Sequence, residues 1–277
     1  MTTLNKIFTI ALLSAFALQG CRNGTKRPEH ANSVQETTAV PAIGYYITDS
    51  FPHDPTLFTE GFLVHDGKLF ESTGSPAEFP DTRSVIGISD FKTGKLEIKA
   101  ELDKVIYFGE GIVILADKLY QLTYKNQTGF IYDLNTFKKL GDFHYTNAEG
   151  WGLTTDGENL IMSDGTDRLT YLDPDHLKPV RVLSVTENGV PQDNLNELEF
   201  IKGYIYANIW TTNFIVKIDP VSGKIIGKLD LGFIKQEQQN KNPGAQEMNG
   251  IAYDAAADKV YITGKMWADS YQLEFKK

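Results

Sequence analysis

KLFEST (68–73), KLYQLT (118–123), NLIMSD (159–164), YIYANI (204–209) and KVYITG (259–264) are five versions of one short pattern. Their starts lie 50, 41, 45 and 55 residues apart. Each is preceded by another apolar stretch: GFLVHDG, GIVILAD, GWGLTTDG, ELEFIKG and NGIAYDAAAD. Between the two stretches stand Asp-Gly, Lys-Gly or Ala-Asp pairs, which reads as two strands joined by a tight turn. Four copies are followed by a third and a fourth strand: VIGISDFKTGKLEIK, FIYDLNTFKKLGDF, TYLDPDHLKPVRVL and FIVKIDPVSGKIIGKL. Their Asp-Pro, Thr-Gly and Ser-Gly pairs mark the intervening turn. A four-stranded meander repeated five times at this period predicts an all-β, five-bladed β-propeller, whose radial packing leaves only short edges. A single long β-sandwich does not repeat a four-strand unit at this spacing.

The last copy is one strand short, because only SYQLEF (270–275) follows KVYITG. The stretch AIGYYITDS (42–50) has no partner in its own neighbourhood. It is expected to close the ring by pairing with SYQLEF. The polar stretch 233–247 is expected to form a long loop or short helix over one face.

Outward from the repeat, residues 1–20 read as a signal peptide, with Lys6 as the positive n-region and Ile7 to Leu18 as the apolar core. That core is too short for a permanent membrane span. Leu18-Gln19-Gly20-Cys21 resembles the bacterial lipobox, so Cys21 is expected to be lipidated. It is the only cysteine, which excludes an intrachain disulfide. Residues 21–40 read as a flexible polar tether and residues 41–277 as the propeller. The expected setting is an exported lipoprotein, periplasmic or at the cell surface, held to the membrane through Cys21. A propeller closes on itself, so a monomer is expected. The 277 residues are 41% hydrophobic and 12% aromatic, enough for a sizeable core. The net charge of -9 argues against a sequence-independent hold on nucleic acid.

The inner strand of each repeat opens on a polar residue or pair: Glu60-Gly61, Glu110-Gly111, Glu149-Gly150, Asn196-Glu197 and Asn249-Gly250. Five blades bring these toward one mouth of the channel. Carboxylates crowded there repel one another and lose water, which raises at least one pKa toward the range useful for general acid–base work. The repeat alone does not say which glutamate is catalytic, and all five positions could instead serve as hydrogen-bonding links between blades. The five histidines (His30, His53, His65, His144 and His176) have no zinc-ligand spacing.

The motifs PHDPTLFTEG (52–61), FESTG (70–74), YFGEG (107–111), KLYQLTY (118–124), EGWGLTTDG (149–157), SDGTDRL (163–169), LNELEF (195–200), ANIW (207–210), MNGIAYD (248–254) and TGKMW (263–267) follow one another along the chain. In order and spacing they resemble the metal-independent glutaminyl-peptide cyclotransferases of plants and bacteria. The resemblance implies conversion of N-terminal glutamine in peptides and proteins to pyroglutamate with loss of ammonia, and no cofactor. It places the acid–base group on Glu110. It puts oxyanion or amide contacts on Asn196 and Lys265, and a substrate-binding wall on Phe58, Phe108, Tyr124, Trp151 and Trp210. The family usually has glutamine where Glu60 stands and tryptophan where Tyr124 stands. Glu60 thus adds a negative charge beside the substrate amine. Two rival readings are a non-catalytic propeller binding a peptide or glycan at the cell surface, and a metal-dependent lactonase-type hydrolase. Lys265 at the mouth disfavours the latter by repelling a cation.

Overall fold

The computed structural model describes residues 39–276. The signal peptide, Cys21 and most of the tether lie outside the described residues. The first strand, β1 (Tyr45–Pro52), stands apart from the meander that follows it. Blade 1 is β2 (Thr59–His65), β3 (Lys68–Thr73), β4 (Val85–Ser89) and β5 (Leu96–Glu101). Blade 2 is β6 (Gly109–Leu115), β7 (Lys118–Thr123), β8 (Thr128–Asp133) and β9 (Lys139–His144). Blade 3 is β10 (Leu153–Thr155), β11 (Leu160–Met162), β12 (Arg168–Leu172) and β13 (Pro179–Ser184). A two-residue ladder, β14 (Thr186–Glu187) with β15 (Val190–Pro191), leads into blade 4: β16 (Leu195–Ile201), β17 (Tyr204–Ile209), β18 (Phe214–Ile218) and β19 (Ile225–Asp230). Helix α1 (Gly232–Lys241) follows, within the stretch expected to be loop or helix. Blade 5 is β20 (Met248–Asp254), β21 (Lys259–Gly264), β22 (Asp269–Phe275) and, on its outside, β1. The expected closure therefore holds, with Tyr45 opposite Phe275 and Pro52 opposite Asp269.

Turn chemistry explains why these stretches fold locally. Asp66-Gly67 and Lys202-Gly203 both take positive φ at both positions, the mirror-image turn whose twist suits a hairpin. The β4–β5, β8–β9 and β18–β19 turns open with Asp90, Asp133 and Asp219. Each carboxylate accepts backbone N–H bonds from the residues two or three further on.

Five apolar clusters among the described residues fill the joints between successive blades. Leu63, Phe70, Ile112 and Phe130 join blades 1 and 2. Tyr120, Leu122, Leu153 and Met162 join 2 and 3. Leu169, Tyr171, Leu198 and Val216 join 3 and 4. Tyr206, Leu229, Ile262 and Trp267 join 4 and 5. The joint between 5 and 1 has the smallest buried set: Phe62, Leu69, Ala252 and Tyr261. Polar links reinforce it. His53 bonds the Trp267 carbonyl at 2.8 Å and the Glu71 carboxylate at 2.9 Å through its two ring nitrogens. With both nitrogens facing acceptors, the surroundings favour the imidazolium form. Burial lowers its pKa, but the Glu71 charge and hydrogen bonds raise it more, so the net shift is upward.

The segment before β1 adds a second stitch. Ile43 N–H bonds the Lys228 carbonyl at 2.8 Å, and Lys228 N–H bonds the Pro41 carbonyl at 3.0 Å. Residues 41–43 thus run along the outer edge of blade 4 before β1 crosses to blade 5. Val40 packs against the joint of blades 3 and 4.

Candidate active site

Around the axis the inner strands meet backbone to backbone. A Cβ on Gly61 would stand 2.8 Å from Ile112 N, one on Gly111 2.6 Å from Leu153 N, and one on Gly152 2.2 Å from the Asn196 carbonyl. Only glycine allows this approach. Register shifts at Thr59/Gly61, Gly109/Ile112, Leu195/Leu198 and Met248/Ile251 interrupt the inner ladders at the same level. A bulge re-aims the side chains beside it. Here Glu60, Glu110 and Asn196 come to line a cavity at one mouth of the ring.

The alignment of the third repeat needs correction. Glu149-Gly150 is not its inner-strand pair; Trp151-Gly152 is, since Gly111 N–H bonds the Trp151 carbonyl and Gly152 faces Asn196. The sequence EGWGL holds two glycines two residues apart, and both registers keep the same strand faces. The Glu149 carboxylate instead accepts the Trp151 indole N–H at 2.9 Å and lies 3.6 Å from Lys125 Nζ. Asn249 does not line the cavity either. It is fully buried, and its amide donates to the Thr59 carbonyl at 3.1 Å and to Glu60 at 3.0 Å.

The cavity is about 580 Å³. Its lining includes every expected substrate or catalytic residue: Phe58, Glu60, Phe108, Glu110, Tyr124, Trp151, Asn196, Trp210 and Lys265. Pro76, Glu78, Phe79, Gln246 and Glu247 complete it and were not expected. They sit on connections, β3–β4 and α1–β20, whose sequence carries no periodic signal. The one available cue was position, because Gln246-Glu247 directly precedes the MNGIAYD motif.

The floor is polar yet buried. Glu110, Glu60, Lys265 and Asn196 are 5%, 2%, 6% and 3% exposed. Lys265 Nζ donates to Glu60 Oε1 at 2.7 Å and stands 4.7 Å from the centre of the Phe58 ring. Burial raises the Glu60 pKa to about 7 despite Lys265, and Glu247 adds to the rise. Glu110 is pushed well above the ordinary carboxylate range, first by burial and then by the Glu60 charge, with Lys265 opposing. Burial and the Glu60 charge thus both favour the protonated form of Glu110, which suits a group that must give up a proton as well as take one.

Above the floor stands an aromatic collar. Phe58 contacts Phe108 edge-on at 6.3 Å between ring centres, and Phe108 contacts Tyr124 at 5.7 Å. Across the mouth Trp151 and Trp210 meet edge to face at 5.5 Å. Such walls exclude water and hold a short flexible side chain in a folded conformation.

Below the floor, Glu197 occupies the ring level that glycine holds in neighbouring blades. Its carboxylate accepts the N–H groups of Phe62 at 3.3 Å and Ile251 at 2.8 Å, linking blade 4 to blades 1 and 5. Glu199 lies two residues further along β16 and accepts the Tyr253 N–H at 2.9 Å.

Residues 12–275 match the family model described as glutamine cyclotransferase. The chain is 38% identical over 237 residues to a glutaminyl-peptide cyclotransferase of Arabidopsis thaliana, an alignment covering 83% of this chain and 71% of that protein. Its fold is similar to the crystal structure of Myxococcus xanthus glutaminyl cyclase, with a TM-score of 0.78, 29% identity, and coverage of 86% of this chain and 99% of that one. With this fold, and with a match running nearly end to end, the chain belongs to the glutamine cyclotransferase family.

Proposed function

We propose that the chain cyclises the N-terminal glutamine of peptides and proteins to pyroglutamate, with Glu110 moving the proton. The observation that carries this reading is the placement of Glu110: a buried carboxyl with a raised pKa, opening on a cavity that also holds Lys265 and Asn196. The substrate's α-nitrogen attacks its own side-chain amide carbon, forming the ring C–N bond. From its ionised form, Glu110 takes a proton from that nitrogen and becomes the neutral acid that burial favours. It then returns the proton to the amide nitrogen as the old C–N bond breaks and ammonia leaves. Negative charge developing on the amide oxygen needs donors. Lys265 has three N–H bonds and gives one to Glu60, so others remain for the oxygen. The Asn196 amide faces the same cavity. Glu60 balances Lys265 and offers a second acceptor to the substrate's ammonium. The test is ammonia release from a short Gln-initiated peptide in the presence of a chelator. Wild type is expected to turn over, and Glu110→Gln to lose roughly two or more orders of magnitude, the scale of a lost general acid–base group. A folded wild type without turnover would refute the activity; an unimpaired Glu110→Gln would refute the site.

For the region before residue 39 the support is the sequence alone. The short apolar core of residues 7–18 and the Leu-Gln-Gly-Cys motif favour export and lipidation of Cys21. Labelled fatty acid should enter the wild-type protein in a bacterial host and not Cys21→Ser, which should leave the membrane fraction. Label in both, or in neither, would overturn the anchor.

A further inference from the structure

The rim of the cavity differs in charge from its floor. On the floor Lys265 offsets Glu60 at 2.7 Å, and burial favours the neutral form of Glu110. At the rim stand two further carboxylates, Glu78 on the β3–β4 connection and Glu247 before β20. Glu78 is exposed and Glu247 half-buried. Neither is within ion-pairing distance of a lysine, arginine or histidine among the described residues. Lys125, next in the chain to the lining residue Tyr124, leans on that ring and pairs with Glu149 rather than with either of them. The mouth therefore presents two uncompensated negative charges, from different blades, over one opening.

The reaction fixes what passes that opening. The first residue's amine and carboxamide must both reach the floor beside Glu110, so the rest of the peptide leaves through the mouth. A cavity of about 580 Å³ is larger than one glutamine side chain requires and is in the range that takes drug-sized ligands. The second and third residues then pass Glu78 and Glu247.

Resting on the cyclisation reading above, we propose that Glu78 and Glu247 are specificity-determining residues that favour substrates with lysine or arginine directly after the N-terminal glutamine and disfavour those with glutamate or aspartate there. An exposed ion pair contributes little on its own, but exchanging a cationic for an anionic residue changes attraction into repulsion at both carboxylates.

The experiment compares Gln-Lys-Ala-Ala, Gln-Ala-Ala-Ala and Gln-Glu-Ala-Ala amides. The readout is the ratio of kcat/KM for the lysine peptide over the glutamate peptide, from which any common change in rate cancels. Wild type is expected to give a ratio of roughly ten at low ionic strength, shrinking as salt screens the rim. The Glu78→Gln/Glu247→Gln double variant should bring the ratio near one at all salt concentrations. A wild-type ratio near one, or a ratio the double variant leaves unchanged, overturns the proposal. The same ratio is read as Kd by calorimetry in the Glu110→Gln background, which needs no turnover. Selective binding together with a wild type that does not turn over would uphold the rim and refute the cyclisation reading. Turnover without selectivity would do the reverse.

Discussion

At the scale of single residues, Glu60 is, with Tyr124, one of two places where this chain departs from the pattern it resembles. Its charge raises the Glu110 pKa, while its pairing with Lys265 restrains the one cation that would lower it. Glu60→Gln removes a like charge beside Glu110 and frees Lys265, and both changes lower the Glu110 pKa. The acid limb of the kcat/KM profile should therefore move to lower pH in Glu60→Gln, measured by ammonia release across pH. An unmoved or upward-shifted limb would show that the two carboxylates do not share a titration. The floor and collar were legible in sequence because each member sits in a motif fixed to a strand end: Glu110 in YFGEG, Lys265 in TGKMW and Trp210 in ANIW. Glu78 and Glu247 were not, because a connection has no period from which a facing direction follows. Trp151 was recognised, but its place on the third inner strand was not, since the neighbouring Gly150 and Gly152 fit the pattern equally well.

At the scale of elements, the hairpins were readable because their turns carry their own chemistry. Asp66-Gly67 and Lys202-Gly203 supply the positive φ angles that a two-residue turn needs. The outer turns rest on Asp90, Asp133 and Asp219, each holding the backbone N–H groups that follow. Other turns use positive φ without glycine, at Phe137 and Leu177. There the residue type alone says nothing of the conformation. Phe137 is held by stacking against Phe70 at 6.2 Å and Leu177 by packing on the joint of blades 2 and 3. The stitch of residues 41–43 along β19 was equally hidden. Edge pairing to a strand nearly two hundred residues away uses backbone groups, which every sequence supplies. Helix α1 opens the polar stretch and is tied to blade 5 by Gln238, which donates to Asp269 and the Tyr271 hydroxyl.

At the scale of the whole molecule, stability is tied to protons bound near the axis and at the ring-closing joint. Burial raises the Glu197 pKa well above the ordinary value, with Glu199 adding to it, and burial brings Glu199 to about 8. A carboxyl whose folded pKa exceeds its unfolded value of 4.5 contributes stability that is full below 4.5 and is lost as pH rises through the folded value. His53, raised above 6.5, has the same sign. The Tm should therefore fall as pH climbs from about 4.5 to above about 8, and Glu199→Gln, which can still accept the Tyr253 N–H, should flatten that fall. Scanning calorimetry across pH reads this directly; identical slopes in the two proteins would refute the assignment.

The pairing of β1 with β22 also sets an order of events in the life of the chain. A ribosome delivers Tyr45 long before Phe275, yet the two are neighbours in the finished disc. Blades 1 to 4 each find their partners among residues close in sequence, so each can assemble as it is made. Blade 5 must wait, with β1 idle until β22 arrives to lie between it and β21. Until then Glu60 has no Lys265, and the floor of the pocket has no cation. Activity should thus appear only once β22 has joined β1 to β21 and the last-made strand of the ring meets the first.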